Sequence, residues 1–181
     1  MSALNLVMAP SQIFKQKALD VPQVDDSIRA LCADMLDTLY AEKGIGIAAP
    51  MVGVLKRVIV IDLQENGVRA PIVCINPQLK STSAEMQKHE EASLCFPGIR
   101  AEIERPASAN LDYLDTDGAP QSLQADGWLA TVIQHEMEYL DGRTFLDNLS
   151  KLKRDRLIKK MLKDIKHTQA CGDPHCGHEH H

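Results

Sequence analysis

The chain has no apolar run that approaches the length of a membrane span, so it is not expected to cross a membrane. Its first residues, MSALNLV, lack the basic start and the long apolar stretch of a secretory signal peptide. Its five cysteines form no disulfide framework for a chain of 181 residues. We therefore expect a protein of the reducing cytoplasm.

Charge is distributed unevenly along the chain. A net charge of -5 gives the surface as a whole no signature of nucleic-acid binding. Residues 151–166, however, contain eight Lys or Arg and two Asp, which suggests a basic helix on an acidic body. The length suits one well-cored domain. We expect a monomeric domain over residues 1–166, followed by a flexible Cys/His-rich tail over residues 167–181.

Hydrophobic periodicity predicts a mixture of helices and strands. Apolar residues at helical spacing predict an amphipathic helix from residue 25 or 26 to about 42. The first twenty residues read as an extended arm or short strand, and residues 81–91 as a connection or weak strand. The other predicted elements are buried strands at 58–61 and 72–75, strands within 101–114 interrupted at Pro106, a short strand ending at Leu123, and helices around 129–140 and 151–166.

One stretch carries a metallohydrolase pattern. Residues 133–142 read IQHEMEYLDG. In the HExxH motif, two histidines one helical turn apart hold a metal while the Glu handles protons. Here His135 and Glu136 are present, but Tyr139 stands at the second His. Glu136 also falls on the apolar stripe of the predicted helix, where a carboxylate without a partner is costly.

Three segments, in this order, resemble the motifs of the peptide deformylases. Residues 44–51 read GIGIAAPM and resemble GφGφAAxQ. Residues 91–97 read EASLCFP and resemble EGCLSxP, with Arg100 after them. Residues 134–140 read QHEMEYL and resemble QHExDHL. The resemblance covers roughly residues 3–166.

The resemblance implies an α+β fold in which antiparallel sheets pack around the central motif helix, with a C-terminal helix. It also implies metal-dependent removal of the formyl group from the N-terminal formyl-methionine of nascent proteins. In the family, one Cys and two His hold Fe(II), or often Zn or Ni in preparations. The motif Glu moves protons, and the Gln and the backbone N–H after the Cys stabilise the oxyanion.

The three segments depart from the family motifs at several positions that carry the chemistry. Ser93 stands at the Cys ligand, Tyr139 at the second His and Met51 at the oxyanion Gln. The positions that match are the metal ligand His135, the proton carrier Glu136, Leu94 through its backbone N–H, and the substrate-binding Gly46 and Arg100.

These replacements predict a weakened metal site. A serine hydroxyl and a protonated phenol are poor ligands for Fe(II), Zn or Ni. We expect no metal or a weakly bound one, and a deformylase activity that is lost or severely reduced. Ser93, His135 and Tyr139 would then form a buried hydrogen-bonded cluster, and Glu136 would pair with a neighbour or stay protonated. Such a scaffold could bind formyl-methionine peptides or ribosomes.

Other interpretations of the same residues remain open. One is a working deformylase with an unusual set of metal ligands. In that case Cys95 could be a ligand, if residues 93–95 are extended and shift locally. Otherwise Cys95 is a small buried hydrophobe. Ser93 could instead pair with His135 as part of a serine hydrolase, with the Leu94 N–H as oxyanion donor. Met51 is interpreted as a polarizable filler of the pocket.

The C-terminal region suggests two further roles. The basic helix over residues 151–166 either docks on the ribosome through RNA phosphates or presents a solvated face while it caps the domain. The tail is rich in ligands that suit Zn, Ni or Cu, which predicts transition-metal binding or delivery. Its candidate ligands are Cys171, His175, Cys176, His178, His180 and His181.

Overall fold

The computed structural model describes residues 3–171, with side chains through residue 167. Two antiparallel sheets and three α-helices make up this part of the chain. The α-helices are α1 (Asp26–Ala41), α2 (Gly127–Leu140) and α3 (Lys151–Cys171). The strands are β1 (Gly46–Ala48), β2 (Val58–Ile61), β3 (Ile72–Thr82), β4 (Met86–Glu91), β5 (Ala101–Pro106), β6 (Ser108–Leu114) and β7 (Pro120–Asp126).

The strands form a five-stranded sheet in the order β1-β2-β3-β6-β7 and a separate β4–β5 hairpin. All four residues of β2 are buried, as its β-branched sequence predicts for a strand inside a sheet. β1 is an edge strand of the larger sheet. The arrangement confirms the predicted α+β class.

Helix α1 follows its sequence signals closely. The Asp25 side chain caps it by accepting a hydrogen bond from the Ile28 N–H at 3.0 Å. The buried side chains Ile28, Cys32, Met35 and Leu39 lie on one face, at the spacing that brings them onto the sheet. The prediction for this helix is confirmed.

Helix α2 differs from the single apolar stripe that periodicity predicts. Every residue from Ala130 to Met137 is buried, because the helix contacts both sheets. Gln134, His135 and Glu136 are therefore enclosed together with the apolar residues. A polar side chain on this helix must find its partner inside the protein.

Several predicted boundaries are wrong. Among residues 3–20 the short strand, one of the two predicted alternatives, does not form: a 3-10 turn spans Gln12–Lys15, where Phe14 packs into the core, and Leu19 makes only an isolated bridge to Lys56. Residues 86–91 pair fully with β5, so they are a strand and not a connection. β7 continues past Leu123 to Asp126, and α3 continues past residue 166 to Cys171. None of the described helices is long and apolar enough to cross a membrane.

Candidate functional site

A cavity of about 390 Å³ opens beside α2. Its walls come from the residues before and after β1, the end of β4 with the turn that follows it, and one side of α2. The residues that line it are Lys43, Gly44, Ile45, Gly46, Met51, Glu90, Glu91, Ala92, Ser93, Leu94, Arg100, Trp128, Thr131, Val132, His135 and Glu136. The three motif segments of the sequence thus meet around one space.

A buried ion-pair network holds His135. Glu91 accepts two hydrogen bonds from Arg105, at 2.6 and 2.9 Å, and its Oε2 lies 2.8 Å from His135 Nδ1. Burial alone would raise the pKa of Glu91, but the hydrogen bonds from His135 and Arg105 outweigh it and lower the pKa below its ordinary value. Because a carboxylate only accepts, His135 Nδ1 is the donor, and a neutral imidazole keeps its lone pair on Nε2.

The network continues across α2 to Glu138. Arg105 donates a third hydrogen bond, to Glu138 Oε2 at 3.0 Å, and Asn148 donates to the same carboxylate. The guanidinium therefore lies between two acids and satisfies both. Glu138 anchors the helix turn that follows His135.

Ser93 and Tyr139 bond to each other. Ser93 Oγ and Tyr139 Oη lie 2.6 Å apart, and the Cys95 N–H donates to Ser93 Oγ at 3.3 Å. Tyr139 has no exposed surface. Burial, together with the charges of Cys95 and Glu136, raises the pKa of Tyr139 well above 10, more than the Ser93 hydrogen bond lowers it. The phenol therefore stays protonated and can donate to the serine.

The predicted three-residue cluster is only partly correct. Ser93 bonds Tyr139, as expected, whereas His135 bonds Glu91. Within the described residues no Ser93–His135 hydrogen bond forms, so the serine-hydrolase pair is wrong. The physical reason is that Glu91 offers the imidazole a charged acceptor at 2.8 Å.

Cys95 does not lie where a ligand is needed. Residues 93–96 form a turn in which the Phe96 N–H donates to the Ser93 carbonyl at 3.1 Å, so the extended geometry that would align Cys95 with Ser93 is wrong. Cys95 is fully buried, and burial raises the pKa of its thiol. It packs as a small apolar side chain.

Met51, which stands at the position of the motif Gln, supplies no hydrogen-bond donor to the cavity. Its side chain is buried and lines the cavity. The sulfur accepts a hydrogen bond from the Ala48 N–H at 3.3 Å. A thioether only accepts, and weakly, so Met51 stabilises its own turn and offers no proton to a bound oxyanion.

Glu136 is the least satisfied polar group of the site. Its Oε1 packs so closely on Gly46 that a Cβ at this glycine would lie 2.5 Å from it. Its Oε2 is buried without a hydrogen-bond partner among the described residues. Burial and, secondarily, the nearby Glu91 raise the pKa of Glu136 from 4.5 to about 7, against the lowering effect of His135 and Arg105. This supports the expectation that burial keeps the carboxyl protonated well above its ordinary range.

The rim of the cavity is exposed and mixed in charge. Arg100 lies 3.3 Å from Glu90 in an exposed ion pair. Trp128, the single tryptophan of the chain, packs edge-on against His89 with ring centroids 5.0 Å apart. Leu94 lines the same opening. The predicted substrate-side residues Gly46 and Arg100 are therefore both at this cavity.

All three phenylalanines of the chain gather behind the site. Phe14 packs edge-on against Tyr139 at 5.3 Å, and Phe145 stacks on His135 at 5.3 Å. Phe96 joins the two, at 6.1 Å from Phe14 and 5.7 Å from Phe145. This aromatic cluster holds His135 and Tyr139 in an apolar environment.

Comparison with known proteins places this cavity in a family. Residues 3–155 match the family model described as "Polypeptide deformylase". The chain belongs to the peptide deformylase family. Deformylases act on nascent formylated peptides and use Fe(II), Ni or Zn at the active site.

Individual relatives differ in name. A "Peptide deformylase-like" protein of Rickettsia conorii is 54% identical over 161 residues, 89% of this chain and 88% of its own. A "Peptide deformylase" of Brucella suis is 43% identical over 164 residues, 90% of this chain and 94% of its own. The crystal structure of Ehrlichia chaffeensis peptide deformylase in complex with actinonin superposes with a TM-score of 0.87 at 39% identity, covering 91% of this chain and 98% of that one.

The donor set of this chain does not fit the deformylase metal. The unpartnered Glu136 oxygen leaves room for a donor, but the Cys and second His positions carry two neutral hydroxyls bonded to each other. Of the three positions that match the family's ligand positions, only His135 carries a good ligand for Fe(II), Zn or Ni. The described residues contain no group of three or more His, Cys, Asp or Glu that could hold a metal ion.

The tail metal site is not tested by this geometry. Cys171 ends α3 with no described side chain, and the remaining candidates lie outside the described residues. They are His175, Cys176, His178, His180 and His181.

Sequence reasoning missed the partners of the motif helix. Arg105, Glu91 and Glu138 form the network, but only motif similarity had drawn attention to Glu91 and Glu138. A signal for Arg105 existed in the alternation of β5, where Ala101, Ile103 and Arg105 occupy the buried positions. A charged residue at the inward position of an alternating strand indicates a buried partner.

Proposed function

We propose that this chain is a metal-free member of the peptide deformylase family that binds methionine-headed peptides without deformylating them. The observation that carries the proposal is the 2.6 Å hydrogen bond between Ser93 and Tyr139. It occupies the positions of two metal ligands with protonated, mutually satisfied groups. Met51 adds to this, because losing one oxyanion donor alone typically lowers rates by ~10²–10³.

The cavity supports a binding role. It is preformed, has both apolar walls and polar groups, and lies beside the edge strand β1. An edge strand offers free backbone N–H and C=O groups to an extended peptide. The Leu94 backbone and Arg100 lie at the opening. A peptide N-terminus can therefore enter while its following residues pair along β1.

Docking on the ribosome through α3 belongs to the same proposal. The lysines of this helix are exposed, while Leu157, Ile158 and Met161 pack against the core. This distribution suits both interpretations of the basic face, and a salt-sensitive ribosome-binding assay separates them. A cytoplasmic location, a monomeric state and the domain boundary at residue 166 stay predictions.

The test combines metal analysis with a formyl-methionine peptide assay. We expect the purified chain, loaded with Fe(II), Ni or Zn, to retain no stoichiometric metal at the cavity and to show no turnover. A variant lacking residues 172–181 is the control for the tail. Metal that disappears with the tail supports metal binding or delivery by the tail, whereas metal retained without the tail, together with turnover, supports a working deformylase and overturns the proposal.

A reconstruction tests the same reasoning in the opposite direction. The triple variant Ser93→Cys, Tyr139→His, Met51→Gln should regain metal binding and some hydrolysis, because the chain retains His135, Glu136 and Leu94 at the cavity. Met51→Gln alone is the matched control, since it restores a donor but no ligand. A folded triple variant that binds no metal contradicts the assignment of these three positions as the cause.

A further inference from the structure

A second cavity, of about 560 Å³, lies between the N-terminal 3-10 turn, the segment that follows α2 and the first half of α3. It shares no lining residue with the first cavity. Gly142 lets two of its walls approach each other, since its φ is +70° and a Cβ there would lie 3.0 Å from the carbonyl of Lys15. The volume falls in the range of about 300–1,000 Å³ that is usual for small-molecule pockets. The fold therefore contains a ligand-sized space that the proposed peptide binding does not use.

The floor of the second cavity is apolar and aromatic. Phe14 and Phe96 both line it, with ring centroids 6.1 Å apart and ring planes tilted by 33°. Leu146 and, from α3, Ile158 extend this surface. Aromatic rings pack well on other flat apolar groups in offset or edge-to-face contacts. The floor therefore suits a ligand with a flat apolar body.

The two acids of the second cavity are already paired. Arg154 donates to Asp147 at 2.8 Å and lies 4.0 Å from Asp155. Asp147 also accepts a hydrogen bond from the Thr144 N–H at 2.8 Å. This cation and these two carboxylates satisfy one another, so the group as a whole offers little to a ligand.

The two remaining cations of the lining are Lys15 and Arg143. Lys15 makes no ion pair among the residues that the structure describes. Arg143 is half-exposed and lies 3.9 Å from Glu138, a carboxylate that already accepts from Arg105. The rim therefore presents two weakly engaged positive charges above an aromatic floor.

We propose that the second cavity binds a small aromatic carboxylate, whose ring packs on Phe14 and Phe96 and whose carboxylate is held by Lys15 and Arg143. A guanidinium presents paired N–H donors to both oxygens of a carboxylate, while the ammonium of Lys adds a point charge. Both cations are exposed, so solvent screens the ion pairs, and the carboxylate contributes selectivity more than affinity. This site does not depend on the proposed peptide binding.

The test titrates the full-length protein with naphthylacetate, and with naphthylethanol and naphthylethylamine as its neutral and cationic analogues. Two-dimensional amide NMR spectra locate the bound ligand. We expect naphthylacetate to bind with a Kd of about 1 mM, the affinity that usual ligand efficiencies give a molecule of this size. The alcohol should bind about five-fold more weakly and the amine more weakly still. The affected amides should be those of residues 11–15 and 142–147, and not those of residues 44–46 and 91–94 at the first cavity.

Three variants test the assigned roles. Lys15→Gln combined with Arg143→Gln should remove the preference of about five-fold for the acid and leave the affinity for the alcohol unchanged. Lys17→Gln, an exposed neighbour outside the cavity lining, is the matched control and should change neither. Ser11→Phe fills the cavity without removing a capping hydrogen bond, so it should abolish binding of all three compounds.

Each result that would overturn the inference is distinct. Absence of binding, or shift changes confined to the first cavity, excludes the site. Equal affinity for acid and alcohol, a preference that survives the double variant, or an equal loss with Lys17→Gln excludes the assigned carboxylate contacts. None of these results bears on the metal content or the peptide binding of the first cavity, which separate assays measure.

Discussion

The hydrogen bond between Ser93 and Tyr139 predicts that removing either partner destabilises the fold, but by different amounts. Ser93→Ala leaves the Tyr139 hydroxyl, which has no exposed surface, without its partner. Leaving a buried polar group unsatisfied costs about 1–3 kcal/mol. Tyr139→Phe leaves Ser93 Oγ with the Cys95 N–H at 3.3 Å, so it should cost only about 0.5–1.5 kcal/mol.

The double variant separates a paired interaction from two independent ones. Once Ser93 is alanine, replacing Tyr139 by Phe removes the stranded hydroxyl, so the double variant should be no less stable than Ser93→Ala. The two single effects should therefore fail to add by about 1 kcal/mol. Urea denaturation of the four proteins measures this coupling.

Ser122→Ala provides the matched control, because Ser122 Oγ makes a hydrogen bond of equal length, 2.6 Å, to Asp112 on the exposed face of the sheet. Water replaces the lost partner there, so the change should stay within about 0.5 kcal/mol. Additive losses at 93 and 139, or a Ser93→Ala effect no larger than that of Ser122→Ala, would refute the argument that the pair stabilises a metal-free site.

Two further predictions concern Glu136 and its neighbour. Since the native carboxyl holds its proton to about pH 7 while the unfolded one loses it near 4.5, the unfolded state binds fewer protons in this window. The free energy of unfolding should therefore fall by about 3 kcal/mol as pH rises from 4.5 to 7 and then level off. Glu136→Gln should abolish this fall, as measured by urea denaturation at a series of pH values. The same pH dependence in the variant and the native protein would contradict the raised pKa. Gly46→Ala should lower the free energy of unfolding by about 1–3 kcal/mol, because its Cβ would lie 2.5 Å from Glu136 Oε1 and 2.9 Å from Val132. An unaltered melting temperature would show that Glu136 moves aside freely.

Much of this architecture could be predicted from local sequence. The stripe of α1 and the β-branched run of β2 define their elements because each pattern depends only on neighbours along the chain. Glu136 could be recognised as unusual for the same reason, since its position on an apolar face is a property of the helix alone. The three segments singled out by their motifs surround one cavity.

The partners of the site residues could not be predicted in this way. His135 bonds Glu91 rather than Ser93, a choice made by the β4–β5 hairpin, which brings Arg105 and Glu91 to the helix. The turn at 93–96 likewise decides that Cys95 is a core thiol. Such pairings join residues far apart in sequence, and local periodicity contains no information about them.

The aromatic cluster has a consequence for how the cavity forms during folding. Phe14, Phe96 and Phe145 come from three distant parts of the chain; Phe96 contacts the other two, which pack against Tyr139 and His135. Contacts of such large sequence separation form slowly, because long loops must close first. The wall behind the site is thus completed only when both the N-terminal arm and the turn after α2 are in place. In a nascent chain this wall stays incomplete until residue 145 has emerged and packed against Phe96.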